Sequence, residues 1–223
     1  MPRQLDLTDP LARETAAERK RLADLYSGLS PAQWAAPTLC AGWRVREVVA
    51  HVTMPYRHSG LRVLSGIVAA RGNFNRFADQ IARSDTTRMS DGELLACLRA
   101  NVEHPWRPPR GGQAGALSHD VIHGLDVTEA LGLPRVPADR VRHVLLGAGP
   151  RALAYFGTDL TGLRLVATDT DMAFGEGPEI VELPAVDLLL RVTGRQALAV
   201  DGTGRDNAHR GRLPRPRRSG GGA

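Results

Sequence analysis

The hydrophobic pattern of the first two thirds of the chain is helical. From residue 9 to residue 29 apolar residues fall at helical spacing beside a charged face, and Pro10 stands where the first turn of a helix accepts proline. From residue 45 to about residue 70 a longer apolar pattern is interrupted by Pro55 and Gly60. Because both residues disturb a helix without always ending it, this pattern predicts a second, kinked helix.

Three further helices are predicted downstream. One begins at Ser90 or Asp91. Another covers residues 116 to 133, about four turns, and is closed by Gly132. The last covers residues 137 to 156.

The segments between these helices carry weaker signals. Ser30 and Pro31 predict the N-cap and first residue of a short helical turn. Residues 71 to 86 are not decisive, and the proline and glycine content of residues 107 to 115 predicts a loop.

The sequence pattern changes after residue 157. Short β-rich runs separated by turn residues follow, with one helix predicted over residues 184 to 195. We therefore expect a mainly α protein with a smaller α+β part. The helical domain would cover residues 1 to 157, the α+β domain residues 158 to 202, and a basic tail residues 203 to 223.

The net positive charge of the chain comes from that tail. The whole chain has a formal net charge of +5, and the tail holds six arginines and one aspartate, which also give +5. The tail cannot bury apolar surface to offset its ordering entropy, so it is predicted to be solvated and disordered. No nucleic-acid partner is expected, because the remaining body is neutral.

The sequence shows no membrane or export signal. No run reaches the roughly 18 apolar residues of a membrane span, and the first residues, MPRQLDLTDP, lack the apolar stretch of a signal peptide. We expect a cytoplasmic protein with no membrane partner. Cys40 and Cys97 are then predicted to be reduced, buried small side chains rather than a disulfide.

Two histidines four residues apart are the main candidate for chemistry. His119 and His123 share one helical face, so their ring nitrogens can converge on one point. His51, on the second helix, is the best third ligand, and zinc readily takes three protein ligands with one open position. Asp126, one turn beyond His123, is placed to orient an imidazole. The other histidines are predicted to lie at the surface or in loops: His58, His104, His143 and His209.

Three other interpretations of these residues remain open. The pair could be a chance spacing with no metal. HDVIH is one methylene away from the HExxH of zinc peptidases, with Asp120 in the place of the general base. Alternatively, His51, His119, Asp120 and a later aspartate imitate the H, HD, D order of helical metal-dependent phosphohydrolases.

Three stretches carry a resemblance to a known family. They are LSPAQWAAPTLCAGWRVREVVAHV at residues 29 to 52, HDVIHGLDVTEALGL at 119 to 133 and LLLRVTGR at 188 to 195. Together they resemble the maleylpyruvate isomerase-like, mycothiol-dependent enzymes of the DinB-like superfamily, over roughly residues 9 to 200. The resemblance implies a four-helix bundle that holds a divalent metal, usually zinc, on two histidines and a carboxylate.

Carried over by position, His51 is the first ligand and His123 the last. The family's carboxylate falls on His119, which makes the site one unit more positive. Trp34 and Trp43 are expected to pack the turn before the second helix.

The resemblance also implies a function. A low-molecular-weight thiol of the mycothiol type would attack an electrophilic small molecule, in an isomerase or an S-transferase, as a monomer or homodimer. Two rival classes are a metal-dependent hydrolase and a non-catalytic metal-binding protein of the same fold.

Overall fold

The structure is a computed structural model, and it describes residues 4–147, residue 156 and residues 158–197. The chain divides into two compact units, Met1–Ala148 and Gly149–Ala223. Residue 157 lies outside the described residues, so a domain boundary there stays a prediction. The proposed tail, residues 203 to 223, also lies outside them.

Eight helices make up the described part of the first unit. They are α1 (Pro10–Tyr26), α2 (Pro31–Trp34), α3 (Val45–Arg57), α4 (Gly60–Ala69), α5 (Phe74–Thr86), α6 (Asp91–Ala100), α7 (Gly112–Leu131) and α8 (Ala138–Gly147). Helices α1, α7, α3 and α6 form a closed ring in which each helix contacts the next. Helix α5 packs against α3, and α8 packs against α7. The predicted mainly α architecture is confirmed.

Side-chain caps set several of the helix starts. The Asp9 carboxylate accepts a hydrogen bond from the backbone N–H of Leu11 at 2.9 Å. Ser30 and Ser90 each form a capping box with the residue three positions later, Gln33 and Glu93. The predicted starts at Ser30 and Ser90 are therefore confirmed.

The single kinked helix predicted for residues 45 to 70 is wrong, because two separate helices occupy this stretch. Pro55 lies inside α3 without ending it. The break comes at His58, which has extended backbone angles, and at Ser59, whose hydroxyl accepts a hydrogen bond from the N–H of Arg62. A serine cap stabilises the first turn of a new helix, so α4 is a separate helix and not a continuation of α3.

Helix α7 begins four residues earlier than predicted. Its first turn, Gly112 to Gly115, was expected to be loop because glycine is a poor helix former. The buried Gln113 amide donates a 2.9 Å hydrogen bond to the Thr15 hydroxyl of α1. This contact between helices supports a turn that local propensity disfavours. The predicted end is confirmed, since Gly132 caps α7 in the left-handed conformation.

The described residues of the second unit form a small three-stranded sheet and a helix. The strands are β1 (Leu163–Ala167), β2 (Ala173–Phe174) and β3 (Glu179–Leu183), in the order β2-β1-β3. Strand β1 is antiparallel to β2 and parallel to β3, and helix α9 (Ala185–Val192) contacts β1. The predicted α+β character is confirmed. The β-rich run at residues 197 to 202 and the end of the helix at 137 to 156 lie largely outside the described residues.

No helix in the described part of the chain combines the length and the apolar content needed to cross a bilayer.

A buried carboxylate fixes the start of α3. Glu47 is 1% exposed and accepts hydrogen bonds from the N–H and guanidinium of Arg44 and from the Thr86 hydroxyl. Burial alone would raise the pKa of Glu47, but the bonds from Arg44 outweigh it, and the pKa is lowered.

Glu47→Gln is therefore expected to destabilise the protein near pH 7 by about 1 kcal/mol, a low value because half of the Arg44 side chain is exposed. A carboxylate with a lowered folded-state pKa stabilises above its unfolded pKa, and that contribution disappears as the pH falls through the folded pKa. Urea unfolding at pH 7 and pH 4 tests this. A cost that stays the same at both pH values would contradict it.

Candidate metal centre

The structure brings the three predicted histidine ligands together between α3 and α7. His51 comes from α3 and is almost fully buried, whereas His119 and His123 lie one turn apart on α7 and are partly exposed. One ring nitrogen from each lies within 4.8 Å of the others. The ring centroids are 4.7 to 5.1 Å apart. Contact between two helices thus joins residues 68 positions apart in the sequence.

The spacing of the nitrogens fits a metal ion. The Nε2 atoms of His51 and His119 are 3.2 Å apart. Two nitrogens bound to one tetrahedral zinc at about 2.0–2.1 Å lie roughly 3.3 Å from each other. Neutral imidazole is also a preferred ligand of zinc and of other divalent transition metals. The donor set of this chain therefore fits a divalent cation.

Two buried carboxylates orient the two histidines of α7. Asp126 Oδ2 lies 3.0 Å from Nδ1 of His123, and Asp120 Oδ1 lies 2.9 Å from Nδ1 of His119. Ionised carboxylates only accept hydrogen bonds, so each Nδ1 carries a proton, and in the neutral imidazole Nε2 then carries the lone pair. This is the contact expected of Asp126; the same contact at Asp120 was not anticipated.

Burial keeps the remaining imidazole neutral. Desolvation, with smaller effects from His123 and His119, holds the pKa of His51 well below its ordinary value. Its Nδ1 is buried and has no hydrogen-bond partner among the described residues. Neutral imidazole is the form that binds metals.

The sequence reasoning missed Arg19, which is completely buried beside the site. Its Nε donates a 2.7 Å hydrogen bond to Asp120 Oδ2, and its Nη1 donates to the backbone oxygen of His104 at 2.6 Å. Burial acts to raise the pKa of Asp120, but Arg19 and His119 outweigh it, so the pKa is lowered. The helical period contained a signal, because Arg19 shares the buried face of α1 with Leu22 and Tyr26.

Two tryptophans lie close to the histidines. The Trp43 ring lies 5.0 Å from the His51 ring, centroid to centroid, and the Trp106 ring lies 5.1 Å from that of His119. Trp43 is also buried in the hydrophobic core, and its indole N–H donates to Asp79 at 2.9 Å. Trp34 is buried against Tyr26. Trp106 was not singled out from the sequence.

The remaining histidines stay outside the triad. His58 and His104 lie in connecting segments, as predicted, but the His58 ring is not at the surface, because it bonds Asp85 at 2.9 Å and is only 10% exposed. His143 is half-buried on α8, and His209 lies outside the described residues.

The geometry argues against the two hydrolase interpretations. Both oxygens of Asp120 are engaged, one by His119 and the other by Arg19, and the side chain is completely buried. It cannot take a proton from water as the base of an HExxH-type peptidase does. Within the described residues, the group that could hold an ion includes His123 in place of Asp120, unlike the H, HD, D pattern.

Comparison with known proteins places the chain in a family. A family model described as the mycothiol maleylpyruvate isomerase N-terminal domain matches residues 15–158, well over half of the chain. Two proteins of Mycobacterium tuberculosis, from strains CDC 1551 / Oshkosh and ATCC 25618 / H37Rv, are each 27% identical. Each match covers 85% of this chain and 87% of the relative, and both relatives are named as uncharacterized proteins. No solved structure matches. The chain therefore belongs to the mycothiol maleylpyruvate isomerase N-terminal domain family.

Proposed function

We propose that His51, His119 and His123 hold one divalent cation, zinc in the first instance, and that the protein is an enzyme that uses a low-molecular-weight thiol of the mycothiol type. Its substrate is an electrophilic small molecule, and the reaction is an isomerisation or an S-transfer. The observation that carries the proposal is the convergence of three imidazoles inside a domain of a mycothiol-linked family.

The residues of the chain prepare the ligand set. Asp120 and Asp126 hold protons on the Nδ1 atoms of His119 and His123, which leaves the Nε2 lone pairs for a cation. All three ligands are imidazoles, which carry no charge in the form that binds a metal. A dication bound there would supply the charge that converts a thiol, with an ordinary pKa of about 8.5, into the nucleophilic thiolate at neutral pH.

Two of the three candidate ligands are accessible to solvent. The side chains of His119 and His123 keep 16% and 17% of their surface exposed, in contrast to buried His51. The Trp106 ring, which is partly exposed, packs beside His119. A thiol and an electrophile can therefore approach from the α7 side.

The cysteine on α6 does not replace an external thiol. Burial raises the pKa of Cys97, and the opposing effect of Arg57 does not overcome it. Its sulfur therefore stays protonated at neutral pH and is a poor nucleophile. This supports a nucleophile that comes from solution.

Metal analysis and thiol titration of the wild-type protein test the proposal. Protein purified without chelators is expected to contain about one equivalent of divalent metal, as one three-histidine site would. Thiolate absorbance of mycothiol, or of a simpler thiol analogue, is expected to rise at lower pH in the presence of zinc-loaded protein than in its absence.

Each other result has a separate meaning. Protein that binds no metal under these conditions contradicts the proposed function. Bound metal with an unchanged thiol titration and no turnover without thiol identifies a non-catalytic metal-binding protein. Turnover of a phosphoester or amide without added thiol would indicate a hydrolase.

A further inference from the structure

A chain of three hydrogen-bonded side chains, Arg19, Asp120 and His119, leads from α1 to the histidine triad. Arg19 Nε bonds Asp120 Oδ2 at 2.7 Å, and Asp120 Oδ1 bonds Nδ1 of His119 at 2.9 Å. Arg19 and Asp120 are both completely buried. The other ring nitrogen of His119 lies 3.2 Å from Nε2 of His51. The orientation of one candidate ligand is thus tied to an arginine on another helix.

A histidine at this position has a requirement that a carboxylate ligand does not have. Imidazole exists as two tautomers, and only a nitrogen without a proton can bind a metal. His123 has Asp126 to hold its proton on Nδ1. His119 needs an equivalent acceptor to keep its proton on Nδ1, and Asp120 is that acceptor.

Arg19 determines which hydrogen bonds the two oxygens of Asp120 can accept. A guanidinium has only donors and keeps its positive charge, so Oδ2 must accept from Arg19. Oδ1 is then left as an acceptor toward His119. The backbone oxygen of His104, which also accepts from Arg19, fixes the guanidinium from the other side.

We propose that Asp120, held in place by Arg19, is a positioning residue that keeps the proton of His119 on Nδ1 and directs its Nε2 to the metal. The inference rests on the proposed function, because it names what makes His119 a ligand. It requires no contact of Asp120 with metal or substrate.

Asp120→Asn tests this by reversing one hydrogen bond. The amide has one acceptor and one donor end, and Arg19 can only donate, so the amide oxygen turns to Arg19 and the NH₂ to His119. Nδ1 of His119 must then accept, and the proton moves to Nε2. Zinc affinity, measured by chelator competition, is expected to fall about 10- to 100-fold.

Asp85→Asn is a matched control. Asp85 is buried and lies between an arginine and a histidine, with Arg57 at 2.7 Å and His58 at 2.9 Å, but neither partner belongs to the triad. It is expected to lose stability in the same way and to keep wild-type zinc affinity. Folded Asp120→Asn protein with wild-type zinc affinity would overturn the proposal, as would an equal loss in both variants.

The tautomer can also be read directly in the metal-free protein. Nitrogen NMR of ring-labelled histidine, with His119 assigned by its loss in His119→Gln, is expected to show the proton on Nδ1 in the wild type and on Nε2 in Asp120→Asn. A wild-type proton on Nε2 overturns the proposal even if the variant does not fold. Because this measurement needs no metal, it separates failure of this inference from failure of the proposed function.

Discussion

Replacing His51 by alanine is expected to remove stoichiometric metal from the protein. His51 is the ligand from α3, and without it the site keeps only the two histidines of α7. Loss of a direct ligand should exceed the effect of about 10- to 100-fold that removal of an orienting group has on metal affinity. Metal content after dialysis and chelator competition will measure the loss. After treatment with zinc and removal of unbound zinc, the same variant is expected to leave a thiol titration unchanged.

His119→Ala and His123→Ala are expected to give the same result, since each also leaves two ligands. His143→Ala is the control, because this half-buried histidine on α8 is outside the triad and should retain the metal. Thermal unfolding of each variant distinguishes loss of a ligand from loss of the fold. Metal retained by His119→Ala but lost by the other two would contradict the role assigned to His119 and indicate a different third ligand.

The elements that sequence predicted well carry their signals locally. Ser90 is followed three residues later by Glu93, and the two form the capping box that starts α6. Gly132 ends α7 because it adopts a left-handed conformation that other residues rarely take. Such signals depend on a few neighbouring residues, so they can be interpreted without knowing the tertiary structure.

The elements that sequence placed wrongly depend on contacts between helices or on competing signals. The first turn of α7 is rich in glycine, and its Gln113 contact with Thr15 joins residues 98 positions apart. In the stretch from α3 to α4, Pro55 and Gly60 were both candidate breakers, yet the helix ends at His58 and restarts after the Ser59 cap. Local propensity could not rank these alternatives.

In the candidate site, too, the features with local signals were predicted, and a buried contact between distant residues was not. Spacing predicted that His119 and His123 would share a face. His51 on the second predicted helix was named as the third ligand, the family resemblance agreed with it, and the structure places it beside them. The bond between Arg19 and Asp120 spans 101 positions, and no local pattern indicates it. Asp120 was therefore considered only as the base of a peptidase motif or as part of a phosphohydrolase motif, whereas its oxygens are directed to Arg19 and His119. That the triad holds a metal stays a prediction.

Arg19→Met is expected to lower the free energy of unfolding by about 3–5 kcal/mol, because it breaks a buried ion pair and leaves one partner charged. Methionine is of similar length and can occupy the core, but it leaves the Asp120 carboxylate buried without its cation. The backbone oxygen of His104 also loses its donor. Urea unfolding of metal-free wild-type and variant proteins measures the difference.

Two further variants locate the source of that cost. Arg83→Met removes a guanidinium whose side chain is 52% exposed and paired with Asp79, and it should cost no more than about 1 kcal/mol. Arg19→Met combined with Asp120→Leu removes the stranded charge together with its partner, and it should recover a large part of the lost stability. It should not recover zinc affinity, because the Nδ1 proton of His119 then has no acceptor. A double variant as unstable as Arg19→Met alone would show that lost packing, and not the unpaired carboxylate, sets the cost.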